Sequence, residues 1–243
     1  MRTGAIRLFR IAGITVYLHF TWFIVAAFFI SGYTASYQSP VWGVLEYLTV
    51  FLIVLVHEFG HALACRQVGG IADRIILWPL GGIAFVNPPR RAGAYLWSIA
   101  AGPLVNVMLV PVLFLASRLA YASASRDLVV FFHQLSFLNL WILIFNLLPI
   151  FPLDGGQIVR GLLWFPFGEI RSLQISSALG LVGGALLALW GLSRGSMWLA
   201  VLAFFLLSRA WYGWQQAKLM VAAADHGVAV SPSPTAGVEE PRR

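Results

Sequence analysis

Val41-Trp42-Gly43-Val44-Leu45-Glu46-Tyr47-Leu48-Thr49-Val50-Phe51-Leu52-Ile53-Val54-Leu55-Val56 runs straight into His57-Glu58-Phe59-Gly60-His61. The run is long and apolar enough to cross a bilayer as a helix. Two histidines and a glutamate at membrane depth are costly unless something there uses them. Residues four apart on a helix lie nearly one above the other, so His57 and His61 present their imidazoles to one point. Neutral imidazole is a good zinc ligand, and a catalytic zinc takes three protein ligands and keeps one open position for water. Glu58, beside the first histidine, can reach that water as a general base. The alternative is a set of satisfied polar residues without metal. It has to account for three ionisable side chains within five positions. Arg66 lies nine residues past His57, which puts the motif roughly 14 Å from that end of the helix.

The whole chain agrees with the membrane reading. Of its 243 residues, 60% are hydrophobic and 10% charged, against roughly a quarter charged in soluble domains. The net charge of +7 comes from fifteen arginines and one lysine, Lys218, against nine acidic residues. Nucleic-acid binding needs a clustered basic patch. Here the arginines stand singly or in pairs at the ends of apolar runs, as topology signals do. The lone cysteine, Cys65, excludes an intrachain disulfide.

Apolar runs predict an all-α polytopic membrane protein of about six transmembrane helices, near 14–32, 41–66, 93–116, 128–149, 173–190 and 196–214. The first run lacks a small-residue cleavage site and reads as a retained helix. One side collects most of the arginines, including Arg2, Arg7, Arg10, Arg66, Arg74, Arg90 and Arg91. The other collects Arg118, Arg126 and Arg194. That bias predicts cytoplasmic N- and C-termini. Between the second and third spans, Arg74-Ile75-Ile76-Leu77-Trp78 and Ile83-Ala84-Phe85-Val86 flank Pro79-Leu80-Gly81-Gly82. This reads as a short membrane-associated β-hairpin, with an irregular interfacial loop as the alternative. Residues 1–218 form the folded domain, with a catalytic core at about 41–160. Residues 219–243 read as a disordered tail, Ser/Pro/Ala/Gly-rich from about position 222.

A third ligand has to come from another helix. Asp73, Asp127, Glu169, Asp225, Glu239 and Glu240 look interfacial or outside, and Glu46 is three turns away on the same helix. Asp154 remains, in Asn146-Leu147-Leu148-Pro149-Ile150-Phe151-Pro152-Leu153-Asp154-Gly155-Gly156. The prolines and glycines predict a broken helix there. Broken backbone is tolerated at membrane depth only where it is buried in protein or lines a cavity. An Asp-Gly-Gly turn at the interface is the alternative.

Taken together, these motifs resemble the site-2 protease family of intramembrane zinc metalloproteases. The resemblance rests on His57-Glu58-Phe59-Gly60-His61, Leu80-Gly81-Gly82, Ala101-Gly102-Pro103-Leu104-Val105-Asn106 and Asn146…Leu153-Asp154-Gly155-Gly156, and covers about residues 7–214. It implies one zinc ion held by His57, His61 and Asp154, with Glu58 catalytic. Asn146 becomes the candidate oxyanion donor, ahead of Asn106 and Asn139, since polar residues in spans more often bridge helices. His19 is similar to a position in the family's first helix; an interfacial histidine is the alternative. Neither a PDZ domain nor a CBS pair is visible, so the chain looks like a minimal form. The resemblance implies hydrolysis of a peptide bond within or near a transmembrane segment, as in regulated intramembrane proteolysis. The expected partners are the lipid bilayer and a membrane protein substrate, such as a membrane-held transcription factor or anti-sigma factor. No nucleic acid is expected, and the location is the inner membrane of a prokaryote. The hairpin edge offers a place for an unwound substrate to add as a strand. Rival readings are a zinc transporter and an inactive scaffold. Two spans almost free of ionisable residues argue against the first, and an intact Glu58 against the second.

Overall fold

The computed structural model describes residues 4–26, 36–78, 81–123 and 125–225. Among them, five helices are long and apolar enough to cross a membrane. They are α1 (Pro40–Gln67), α2 (Ala92–Tyr121), α3 (Arg126–Leu147), α4 (Asp154–Ser193) and α5 (Met197–Asp225). Four strands, β1 (Ala5–Ile11), β2 (Ile14–His19), β3 (Ile71–Trp78) and β4 (Gly81–Asn87), form one sheet in that order. The β1–β2 and β3–β4 pairs are antiparallel, and β2–β3 is parallel. The expectation of an all-α fold with an isolated hairpin is therefore corrected: the membrane-length helices carry a mixed four-stranded sheet. The expected turn residues Pro79 and Leu80 lie outside the described residues.

The first expected helix, 14–32, is also corrected at its start. Ile14-Thr15-Val16-Tyr17-Leu18-His19 is strand β2. Its β-branched and aromatic residues favour a pleated surface. Alternate residues Ile14, Val16 and Leu18 are buried with Ile75 and Leu77 of β3 against Leu55, Ala62 and Cys65 of α1. Apolar length suggested a span, but pairing with β3 decides for the strand. Ala12 (φ 50°) and Gly13 (φ 77°) both take positive φ between the strands. Tight two-residue hairpins need that conformation to match strand twist. Arg66, at the end of α1, donates to the Ala12 carbonyl. Helical geometry begins again at Thr21, and residues 27–32 of the expected span lie outside the described residues.

α1 begins with Pro40 at its first turn, where a missing N–H costs nothing. The chain entering it is tied down by Asp127 at the start of α3. Its carboxylate accepts from the Gln38 N–H at 2.9 Å and the Ser39 N–H at 3.2 Å. Asp127 is buried there, at the first turn of α3. At the other end Gly69 turns left-handed (φ 85°), and the Gly70 N–H returns to the Cys65 carbonyl at 2.9 Å.

The described residues fall into two compact units, one of 4–89 with 97–145 and one of 90–96 with 146–225. In the first, the sheet packs on the C-terminal half of α1, and Ile53 meets Leu113 of α2 and Leu135 of α3 in a second cluster. In the second, α4 is two helical segments joined at Gly168 (φ 78°, ψ 171°), and α5 packs along it through Leu173, Ala217 and Met220. That burial carries α5 on to Asp225, so residues 219–225, assigned to the tail, are helical. The rest of the expected tail lies outside the described residues.

Candidate metal centre

α1 carries His57, Glu58 and His61, all buried. His61 Nδ1 faces the Ser98 carbonyl at 3.0 Å. A carbonyl only accepts, so Nδ1 holds the proton and Nε2 presents a lone pair. His57 Nδ1 faces Asn106 Oδ1 at 2.5 Å, which fixes the same tautomer. The two Nε2 atoms then stand 3.1 Å apart with lone pairs facing each other. Two such lone pairs repel unless a cation lies between them. Two nitrogens about 2.05 Å from one tetrahedral zinc stand roughly 3.3 Å apart, so the pair fits a zinc ion.

Small residues make room for this pair. A Cβ on Gly102 of α2 lands on the His61 ring, and one on Gly60 of α1 comes 2.7 Å from the Ala101 carbonyl oxygen. Ala101-Gly102-Pro103 therefore brings α2 close to the histidine face. Glu58 is held from the sheet. The Ala84 N–H of β4 donates to Glu58 Oε2 at 2.8 Å, and a Cβ on Gly82 collides with the Glu58 carboxyl.

Behind His57, Asn106 Nδ2 donates to Asn139 Oδ1 of α3 at 2.8 Å, and Asn139 Nδ2 donates to the Asn106 carbonyl at 3.1 Å. Both asparagines are fully buried. Sequence reasoning ranked them behind Asn146 as catalytic candidates and did not see their contact with the histidine. Two amides in apolar spans were the signal. The Ser98 carbonyl left none, since any residue supplies one.

Asp154 belongs to the second unit. It opens α4 after the non-helical residues 148–153, which include a cis Phe151–Pro152 peptide. The break precedes Asp154, and Gly155 and Gly156 lie inside the helix rather than breaking it. Their missing side chains let the first turn press onto the Leu147, Leu148, Ile150 and Phe151 backbone. Gln157 braces this turn by donating to the Pro152 carbonyl at 2.9 Å and accepting from the Tyr95 hydroxyl at 3.1 Å. The Arg160 guanidinium lies 4.8 Å over the Tyr95 ring. Asn146 is half-buried in the last turn of α3.

His19 ends β2, stacks on Trp78 with centroids 4.0 Å apart and has Nδ1 2.7 Å from the Thr21 hydroxyl. Cys65 is buried against the sheet, and His133 is exposed on α3. Glu46 is fully buried and accepts from the Tyr37 hydroxyl at 2.7 Å.

A membrane-length helix bearing an H-E-x-x-H pair tuned for a cation defines a class of membrane-embedded metal-site proteins. Comparison with known proteins narrows it. The sequence profile of Peptidase family M50 matches residues 115–190. The chain is 31% identical to a site-2 protease from Methanocaldococcus jannaschii of known structure, with a TM-score of 0.63, covering 86% of this chain and 95% of that one. A zinc metalloprotease of the same organism is 33% identical over 201 residues, which is 83% of this chain and 58% of that protein. Stage IV sporulation protein FB of Bacillus subtilis is 33% identical over 171 residues, 68% of this chain and 54% of that protein. The chain thus spans a little over half the length of these curated relatives. It belongs to the site-2 protease family, peptidase family M50.

Proposed function

We propose that this chain is an intramembrane zinc metalloendopeptidase that hydrolyses a peptide bond within or near a transmembrane segment of a membrane protein. The observation that carries this reading is the pair of Nε2 lone pairs 3.1 Å apart on a membrane-length helix. His57, His61 and Asp154 hold one zinc ion. Two imidazoles and a carboxylate are a common catalytic zinc set. Bound zinc polarises the scissile carbonyl and acidifies the attacking water. Glu58 takes the water proton and delivers it to the leaving amine. Asn146 donates to the oxyanion that develops on the carbonyl.

A helical substrate hides its scissile amide in its own hydrogen bonds. Once unwound, its freed groups need partners at membrane depth. Strand addition at β4 supplies them, beside the carboxylate that acts on the bond.

The proposed topology has six crossings with both termini cytoplasmic, in a prokaryotic inner membrane. The contact of Arg66 with Ala12 supports it, because it sets the N-terminal hairpin level with the end of α1. The Tyr47 hydroxyl, about 28 Å back along α1, donates to the Trp22 carbonyl. Between residues 12 and 22 the chain thus runs alongside α1 from Arg66 back to Tyr47, starting as a strand. The substrate is a single-span regulatory protein, such as a membrane-held transcription factor or anti-sigma factor. The test is Glu58→Gln against wild type on a transmembrane substrate, with zinc content measured on both. The variant keeps its zinc and loses cleavage; full proteolysis by it overturns the mechanism.

A further inference from the structure

We infer that Asn139 of α3 is a positioning residue for the metal centre: it locks the orientation of the Asn106 amide and so fixes which nitrogen of His57 presents its lone pair to the metal. The inference rests on the reading above in which His57 is a zinc ligand.

An asparagine amide has two nearly isosteric ends, one accepting and one donating, and they interchange by a half-turn about its last bond. Only one orientation suits His57. With Oδ1 toward the ring, Asn106 accepts the Nδ1 proton and leaves the Nε2 lone pair facing His61. With Nδ2 toward the ring, Asn106 donates to Nδ1, the ring proton moves to Nε2, and the ligand is lost. Nothing in His57 itself selects between these states, since imidazole can hold its proton at either nitrogen.

Asn139 makes the selection. Its Oδ1 accepts from Asn106 Nδ2 at 2.8 Å, and a turned Asn106 would set two oxygens against each other there. Asn139 in turn cannot reverse, because its Nδ2 is engaged by the Asn106 main-chain carbonyl at 3.1 Å. That carbonyl only accepts, and it is the fixed point from which both amides take their direction. All the groups involved are buried, so no water competes for them. Hydrogen bonds that orient metal-ligating histidines are a recurrent determinant of affinity. Here the orienting group needs an orienting group of its own.

The test separates orientation from packing by a double-mutant cycle read as zinc affinity, by chelator competition on the full-length protein in detergent. Asn139→Leu, with Asn139→Ala as a smaller second variant, weakens zinc about 10–100-fold. The second background is Asn106→Asp. A carboxylate presents oxygen to His57 whichever way it turns, so His57 no longer needs Asn139 to orient its acceptor; adding Asn139→Leu there, which also removes the Asn139 oxygen facing that carboxylate, weakens zinc no further. Wild-type affinity in both single variants overturns the inference. So does an equal loss in both backgrounds, which is what a packing role produces. His57→Ala, run in parallel, tests the underlying reading. Zinc kept by that variant removes His57 as a ligand; zinc lost by it, with the Asn139 variants at wild-type affinity, removes only the role of Asn139.

Discussion

The Ala84 amide of β4 donates to the Glu58 carboxylate of α1 at 2.8 Å. Ala84 pairs across the sheet with Ile75, yet this amide turns away from that ladder toward the helix. The strand proposed to receive substrate thus also holds the proposed base. On that proposal one element sets both the line of the peptide and the position of the group that acts on it.

Gly82 is where this arrangement is most easily broken. Any side chain there displaces the Glu58 carboxyl, while the histidines keep their partners on α2. Gly82→Val is expected to lower kcat/KM at least about 100-fold, the scale of a lost general base. Bound zinc stays at wild-type stoichiometry. Steady-state cleavage with parallel metal analysis checks it, and loss of zinc in step with activity would point to general disruption of the site.

Gly102 gives the opposite signature. A Cβ there strikes the His61 ring rather than Glu58. Gly102→Ala is expected to weaken zinc at least about 10-fold, comparable to losing an orienting contact, with cleavage falling in proportion and recovering as zinc is raised. Titration of activity with buffered zinc distinguishes this from Gly82→Val, which added metal leaves unrescued.

The sequence carried the ligands further than their supports. His57, Glu58 and His61 were legible because their spacing alone places them on one helix face. Asp154 was reached because few carboxylates occur in the apolar runs. Its setting was misjudged: the glycines beside it looked like helix breakers, but they are where a helix begins against the chain preceding it. Residues 14–19 looked like membrane helix because apolar length and the alternation of a strand coexist in six residues. Only a neighbour, β3, resolves the two. Asn139 sits 33 residues from Asn106, and no local pattern says that two distant amides meet. What was hidden in each case is a contact between segments.

Asp127 tests one such contact. Its two carboxylate oxygens take the amides of Gln38 and Ser39 just before α1. Asp127→Ala leaves these donors without their acceptor at the end of the helix carrying the metal motif. A loss of about 1.5–3 kcal/mol is expected, the scale of hydrogen bonds to a charged group. Zinc affinity stays within about twofold, since the site is over ten residues along α1. Thermal unfolding in detergent and chelator competition read the two quantities separately.

The sheet has two edges, and they differ in a way that predicts where substrate docks. β1 carries a register shift between Arg7 and Phe9 and exposes Arg7 and Arg10, the features that guard an edge against pairing. β4, Gly81-Gly82-Ile83-Ala84-Phe85-Val86-Asn87, has no charged residue. Strand alternation turns the Val86 amide to the same side as that of Ala84, clear of the Glu58 contact. Val86→Pro therefore removes one docking donor and leaves the base in place. It is expected to raise KM for a transmembrane substrate about 5–10-fold, the scale of one hydrogen bond, with kcat nearly unchanged. Leu8→Pro on β1 leaves both constants alone. Equal effects at the two edges, or none at Val86, would remove β4 as the docking strand while leaving the zinc chemistry standing.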